Sequence, residues 1–182
     1  MQFGATSSEL GVRGEEVVMR NSMLILLLIV ATGIAQAGQS LIDAKAPDFS
    51  LLDQHGKAFS LKQLEGKPML LIACDNEGKK QKGDWIKVVT EKYGQQLIVL
   101  GVADVRKVPF FLKGKYTRDF QKDPASILLD WDGTIFTSYG LVKDVANIIV
   151  IDKKGYVRYL YSGSAERTAV EQLFRELDQS LK

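Results

Sequence analysis

Cys74 is the only cysteine of this 182-residue chain and His55 the only histidine, so sulfur or imidazole chemistry must be built around these two side chains. Thiol–disulfide exchange needs an attacking thiolate and a second thiol to resolve the mixed disulfide, and one sulfur cannot close that cycle alone. Cys74 follows the apolar run Met69–Ala73. At the end of such a run a thiol is expected to act as a small buried hydrophobe with a raised pKa. Lys79, Lys80 and Lys82 would lower that pKa only if the loop folded back over the sulfur, and a solvated lysine cluster is the simpler expectation. Asp75, Glu77 and Asp84 do not form a metal triad by spacing, and His55 lies beside Gly56 in a turn sequence. No metal and no cofactor is therefore expected. Asp132 and Asp152 fall in the turns Asp-Gly and Asp-Lys-Lys-Gly, where carboxylates accept backbone N–H groups. No phosphate loop or nucleophilic serine motif is present.

The residues that would position Cys74 begin well after the N-terminus. Met23 to Ile34 is an apolar run preceded by Arg20 and followed by Ala35-Gln-Ala37, the charge, core and Ala-x-Ala order of a secretory leader. Twelve residues at about 1.5 Å rise fall short of the ~30 Å hydrocarbon core, so no stable membrane span is expected after cleavage. Residues 19–37 are read as the leader, with cleavage after Ala37. Gly14-Glu-Glu-Val-Val18 would be a purine-rich ribosome-binding sequence if encoded GAG GAG GTN. Met19 is then the expected start and residues 1–18 an upstream extension, which the nucleotide sequence tests. The expected location is outside the cytoplasm, in a bacterial periplasm. The Leu71-Ile-Ala-Cys74 string matches a lipoprotein cleavage box by letters, but it lies far behind the leader and inside a strand.

Removing residues 1–37 leaves 145 residues, enough for one domain with a substantial core. That segment holds two arginines and three glutamates, so the remainder carries +3 against the full chain's +2. Such a bias is too weak to argue for nucleic acid or an anionic membrane as partner, and neither is expected. A secreted chain with one cysteine has no internal disulfide, and its core must hold it together.

The pattern from Phe49 to Leu61 predicts two short strands around Asp53-Gln-His-Gly56, with Ser60 capping one helical turn through Leu64. Met69–Ala73 reads as a strand buried on both faces. Polar residues Asp75 to Lys82 are read as a lead-in to a helix whose Trp85, Val88, Val89 and Tyr93 share one face, closed by Gly94, and a second buried strand spans Gln96–Ala103. A lysine-rich excursion starts at Pro109, is expected to break at Gly114, and ends at Asp123-Pro124. Ile127–Asp130, a short helix to Tyr139-Gly140, Asn147–Asp152 and a hairpin strand Tyr156–Tyr161 follow. Ser164 is placed to cap a last helix carrying Val170, Leu173, Phe174, Leu177 and Leu181 on one face. This order predicts an α/β fold with a mixed central sheet, helices on both faces and an N-terminal β-hairpin.

Ala46-Pro-Asp-Phe-Ser-Leu-Leu-Asp-Gln-His-Gly-Lys57 and Leu64-Glu-Gly-Lys-Pro-Met-Leu-Leu-Ile72 resemble the opening of the thioredoxin-like redoxins, the group of peroxiredoxins and periplasmic thiol-disulfide oxidoreductases. The succession Ile127-Leu-Leu-Asp130, Asp132-Gly133, Ser138-Tyr-Gly-Leu141 and Ile149-Val-Ile-Asp-Lys-Lys-Gly-Tyr-Val157 extends that resemblance over residues 38–182. Ile72-Ala73, the Lys79–Lys82 stretch and the 149–157 segment are most similar to the YtfJ-like periplasmic proteins. The resemblance implies a thioredoxin-like fold whose redox site is a Cys-x-x-Cys at the start of the first core helix. It also implies a cis-proline opposite, shaping the substrate groove.

Laid on that pattern, Gly78, Lys79, Lys80 and Gln81 occupy the four Cys-x-x-Cys positions, and Ala146 the cis-proline position. Both sulfurs and the proline are absent, and a non-proline residue is not expected to be cis. A peroxiredoxin-like site would need a Thr-x-x-Cys setting in the first helical turn, whereas Cys74 comes earlier and has no such threonine. A copper-chaperone site in this fold would need Cys-x-x-x-Cys and a distant histidine. The expected function is thus a binding or accessory module without dithiol activity. The alternative is a single-cysteine redoxin using Cys74 with an external thiol. Phe110, Phe111, Tyr116 and Phe120 are read first as core. If exposed, and rimmed by Lys107, Lys113, Lys115 and Arg118, they would form a surface for a protein or peptide partner.

Overall fold

The computed structural model describes Met1 and residues 41–182. The expected extension, leader and cleavage point lie outside the described residues. Two short strands, β1 (Ser50–Leu52) and β2 (Ala58–Ser60), form an antiparallel hairpin with Leu51 opposite Phe59. At the turn, Asp53 accepts the backbone N–H groups of His55 and Lys57, both at 2.9 Å, which leaves His55 the turn residue its sequence suggests. The Ser60 side chain accepts Gln63 N–H at 3.3 Å and caps α1 (Leu61–Leu64).

The central sheet has the order β5-β4-β3-β6-β7. β3 (Met69–Cys74) lies in the middle, parallel to β4 (Ile98–Asp104) and antiparallel to β6 (Asn147–Ile151). β5 (Ile127–Asp130) continues the parallel half, and β7 (Val157–Ser162) pairs antiparallel with β6. Every residue of β3, β5 and β6 is buried, as expected for strands covered on both faces.

Alternation along β3 feeds two cores. Met69, Leu71 and Ala73 face the side covered by Phe49, Phe59 and α4 (Thr134–Ser138) with Ile135 and Phe136. Leu70 and Ile72 face α2 (Lys79–Tyr93), through Trp85, Val89 and Tyr93, and α5 (Arg167–Ser180), through Leu173 and Leu177. Trp85 is fully buried and donates its indole N–H to Gly163 O at 2.9 Å, tying α2 to the end of β7.

Four local expectations need correction. α2 begins at Lys79, inside the polar stretch read as a lead-in. The excursion is a 3-10 turn, Phe110–Leu112, running into α3 (Lys113–Phe120), and Gly114 sits within that helix instead of breaking it. α5 begins at Arg167, so Ser164 is not its cap; Ser164 O instead accepts Glu166 N–H at 2.8 Å in the preceding loop. Asp130, not Asp132, satisfies the turn after β5: its buried carboxylate accepts the N–H groups of Thr134, Ile135 and Phe136 at 2.8, 3.0 and 3.3 Å. Burial pushes the Asp130 carboxyl up, and those three N–H groups only partly offset the push. Asp152 behaves as expected, accepting Lys154 and Tyr156 N–H at 2.8 and 2.9 Å.

Candidate functional site: a closed redox position beside an open cleft

Thioredoxin-like chemistry would take place where β3 ends and α2 begins. Asp75 organises that junction. One oxygen of its carboxylate accepts Gly78 N–H at 2.9 Å, and the other accepts Asp144 N–H at 3.0 Å, from the loop before β6. Desolvation pushes the Asp75 carboxyl up, but these N–H bonds outweigh it and hold the carboxyl below its ordinary value. One ionised side chain therefore ties the helix start to the opposite loop.

The two strips that flank a dithiol site are pressed together. Gly78 stands just before α2 in a right-handed conformation that any residue can adopt, with φ −64°. A Cβ there would nevertheless be driven into the backbone carbonyl of Val145. Gln81, one helical turn on, sends its amide oxygen across to accept Ala146 N–H at 3.0 Å. Ala146 is fully buried, its own carbonyl accepts Gly163 N–H at 2.8 Å, and no described peptide bond is cis. Lys79 and Lys80 point elsewhere: Lys79 bonds the Asn76 side chain at 2.9 Å, and Lys80 pairs with Glu77 at 2.7 Å at the exposed surface.

Asn147 completes the closure from behind. Its amide donates to Ala73 O, Val142 O and Val145 O at 3.3, 2.9 and 3.3 Å. Its oxygen accepts Val142 N–H at 2.9 Å and the Ser162 hydroxyl at 2.7 Å. Fully buried, it fixes the Val142–Val145 loop against β3. Its sequence position beside Ala146 marked the place, but nothing local announced this role.

Cys74 is the last residue of β3, next to Asp75. It is buried, 6% exposed, and stands opposite Ala103 of β4. Burial raises its pKa from 9.0 to about 11, with Lys82 and Lys79 pulling down and Asp75 pushing up. Cys74 lines a cleft of about 810 Å³ together with residues 101–105 of and after β4 and with Tyr116 and Phe120 of the excursion.

The four excursion aromatics are divided. Phe110 and Phe111 are 85% and 82% exposed, against the expectation that the aromatics pack in the core. Tyr116 is 39% exposed at the cleft wall, while Phe120 packs on Ala103, Val105, Ile127 and Leu129 and is not part of an outer patch. Lys113 Nζ lies 4.6 Å from the Trp131 ring and 5.8 Å from that of Phe110. Gln54, which attracted no notice in the sequence, anchors the excursion's end. Its buried amide donates to Ala125 O at 2.7 Å and accepts Ile127 N–H at 2.8 Å.

A five-stranded mixed sheet, an N-terminal hairpin and a helix start facing the loop before β6 define a redoxin of the thioredoxin-like class. Residues 42–160 match the AhpC/TSA family, and the chain belongs to it. It is 29% identical over 144 residues to the chloroplastic peroxiredoxin Q of Triticum aestivum, covering 72% of this chain and 63% of that one. The chain thus spans less than two thirds of that relative's length. Among solved structures it resembles the exposed lipoprotein thioredoxin of Streptococcus pneumoniae, with a TM-score of 0.56 and 20% identity over 71% of this chain and 99% of that one. It also resembles the thioredoxin domain of a thiol-disulfide oxidoreductase from Bacteroides vulgatus, with a TM-score of 0.55 and 19% identity over 78% and 98%. These structural likenesses establish the fold. Among the described residues no cluster of histidine, cysteine or carboxylate side chains is arranged to hold a metal, and no helix is long and apolar enough to cross a membrane.

Proposed function

We propose that this chain is a binding or accessory module of the AhpC/TSA family, of the YtfJ-like kind, that does not carry out dithiol exchange. The observation behind this reading is the contact of Gly78 and Gln81 with Val145 and Ala146. The first removes the room for a sulfur, and the second occupies a backbone N–H of the strip along which thioredoxin-like oxidoreductases hold substrate. Its partner is a protein or peptide, with Phe110 and Phe111 as the exposed anchors. The chain works in the periplasm after loss of residues 19–37.

Two assays test this. A disulfide-reductase assay with an external dithiol donor should give turnover no higher than a buffer blank; turnover would overturn the reading. N-terminal sequencing of the periplasmic fraction should begin at Gly38, and protein confined to the cytoplasm would refute the location.

A second reading has its own support, since Cys74 lines a cleft with Lys79 and Lys82 and the chain is related to a peroxiredoxin. In that reading the Cys74 thiolate attacks the O–O bond of a peroxide, releasing an alcohol or water and leaving a sulfenic acid for an external thiol to reduce. Thiol-dependent peroxide consumption that disappears in Cys74→Ser would favour it over the binding module.

A further inference from the structure

The cleft beside Cys74 has the dimensions and chemistry of a ligand site, and the closed dithiol position makes no use of it. At about 810 Å³ it falls within the ~300–1,000 Å³ of small-molecule sites. It lies at the carboxyl edge of the parallel strands β3 and β4, the side on which open α/β sheets take up ligands. Val105, Val108, Phe120 and Ile127 supply apolar wall, packed on one satellite core.

Charge on its rim is unevenly satisfied. Five of its six carboxylates are engaged: Asp75 with two backbone N–H groups, Glu77 with Lys80, Asp104 with Arg106, Asp119 with Lys122, and Asp123 with Lys82. Asp75 and Asp144 have no described ion pair, and the Asp144 side chain interacts with Asp75. Lys107, Lys115 and Lys143 line the same cleft; among the described residues none of them has a carboxylate within ion-pair distance, and Lys107 and Lys115 stand in the longer-range field of Asp104 and Asp119. Apolar lining together with three ammonium groups that hold no ion pair complements a molecule with an apolar body and one anionic end.

Resting on the reading of this domain as a binding module, we propose that the cleft binds a small amphipathic carboxylate, an alkanoate or arylalkanoate. Its apolar body would lie against Val105, Val108 and Phe120, and its carboxylate among Lys107, Lys115 and Lys143. Binding is non-covalent and leaves Cys74 unchanged.

The test titrates dodecanoate, below its micellar range, into the full chain while backbone amide resonances are followed. Saturable shifts are expected at Ala103, Val105, Tyr116 and Phe120. A Lys107→Gln/Lys115→Gln/Lys143→Gln variant, whose changes are at the rim and whose melting temperature checks its fold, should bind about tenfold more weakly. Dodecan-1-ol, equal in chain length and uncharged, should bind the unaltered protein no better than dodecanoate binds that variant. No saturable shift at these residues, shifts confined to other regions, or equal binding of acid and alcohol would each overturn the proposal. Dithiol turnover by the unaltered chain would instead strike the binding-module reading, and a null titration would leave that reading standing.

Discussion

The two sides of the β3 terminus are built in opposite ways. Toward β6, the place where this fold carries out dithiol chemistry is closed by backbone contact and by side-chain amides, with Gly78 against Val145, Gln81 bonded to Ala146 and Asn147 locking the loop. Toward β4 and β5, the same strand end opens onto a cleft with apolar lining, to whose rim Lys143 and Asp144 of the β6-side loop also contribute. Closure is cheap on the β6 side because the groups that meet there are backbone and amides that satisfy one another. On the other side the end of the excursion is tied to β5 through Gln54, and its helix α3 packs Phe120 against β4 and β5. Packing at the position where related folds carry a dithiol therefore need not remove all open space; here the space lies next to it.

The largest expected effect is on the closed side. Asn147→Ala would strip partners from Val142 N–H, three carbonyls and the Ser162 hydroxyl, and should cost about 3 kcal/mol or more in urea unfolding. A loss below about 1 kcal/mol would mean that the loop is held by something other than this amide.

Next comes an attempt to reopen the site. Gly78→Cys with Gln81→Cys restores both sulfurs, but the first must displace a carbonyl in the main chain, which cannot rotate away as a side chain would. A loss of about 1–3 kcal/mol is expected, as for other overpacked positions, without gain of disulfide-reductase activity. Full stability together with activity would show that the strip opens readily and would erase the contrast between the two sides.

Cys74 reports on the boundary between them. Its folded pKa is raised from 9.0 to about 11, so the protonated thiol favours the folded state. That contribution is complete below about pH 9 and is lost as the pH rises from 9 towards 11. The stability difference between the unaltered protein and Cys74→Ala should therefore shrink across that window, and native alkylation should stay slow until its upper end. Fast labelling at neutral pH would place Cys74 on the chemical side of the comparison and support the peroxidase reading.

The smallest effect is expected outside both regions. Phe110→Ser and Phe111→Ser remove side chains that solvent already surrounds, and each should change stability by no more than about 0.5 kcal/mol. A pull-down that loses a partner with these variants, at unchanged melting temperature, would assign them to the surface of a binding module.

Much of the architecture could be read in the chain because it follows from local rules. Met69–Ala73 is apolar throughout, so it must be covered on both faces. Trp85, Val89 and Tyr93 recur at helical spacing, and Ser60 stands where a cap belongs. The same rules misplaced Ser164 and Gly114, because a cap needs a helix that begins beside it, and one glycine costs a helix only about 1 kcal/mol. Turn chemistry alone points to Asp132 of the Asp-Gly pair; burial beneath the first turn of α4 makes Asp130 the carboxylate that accepts its N–H groups.

Residue identity by itself determined that this chain has one thiol and that its strands and helices alternate in an α/β order, while the resemblance of its motifs to the thioredoxin-like redoxins implied the fold and set glycine and glutamine at the ends of the four dithiol positions. Those are properties of residue identity and period, which no packing can alter. Tertiary structure alone decided that Gly78 meets Val145, that Gln81 reaches Ala146, that Phe120 turns inward while Phe110 and Phe111 turn outward, and that a lysine-rimmed cleft stands beside Cys74. Each of these joins segments distant along the chain, and contact across such separations is set by how the strands register and the helices pack.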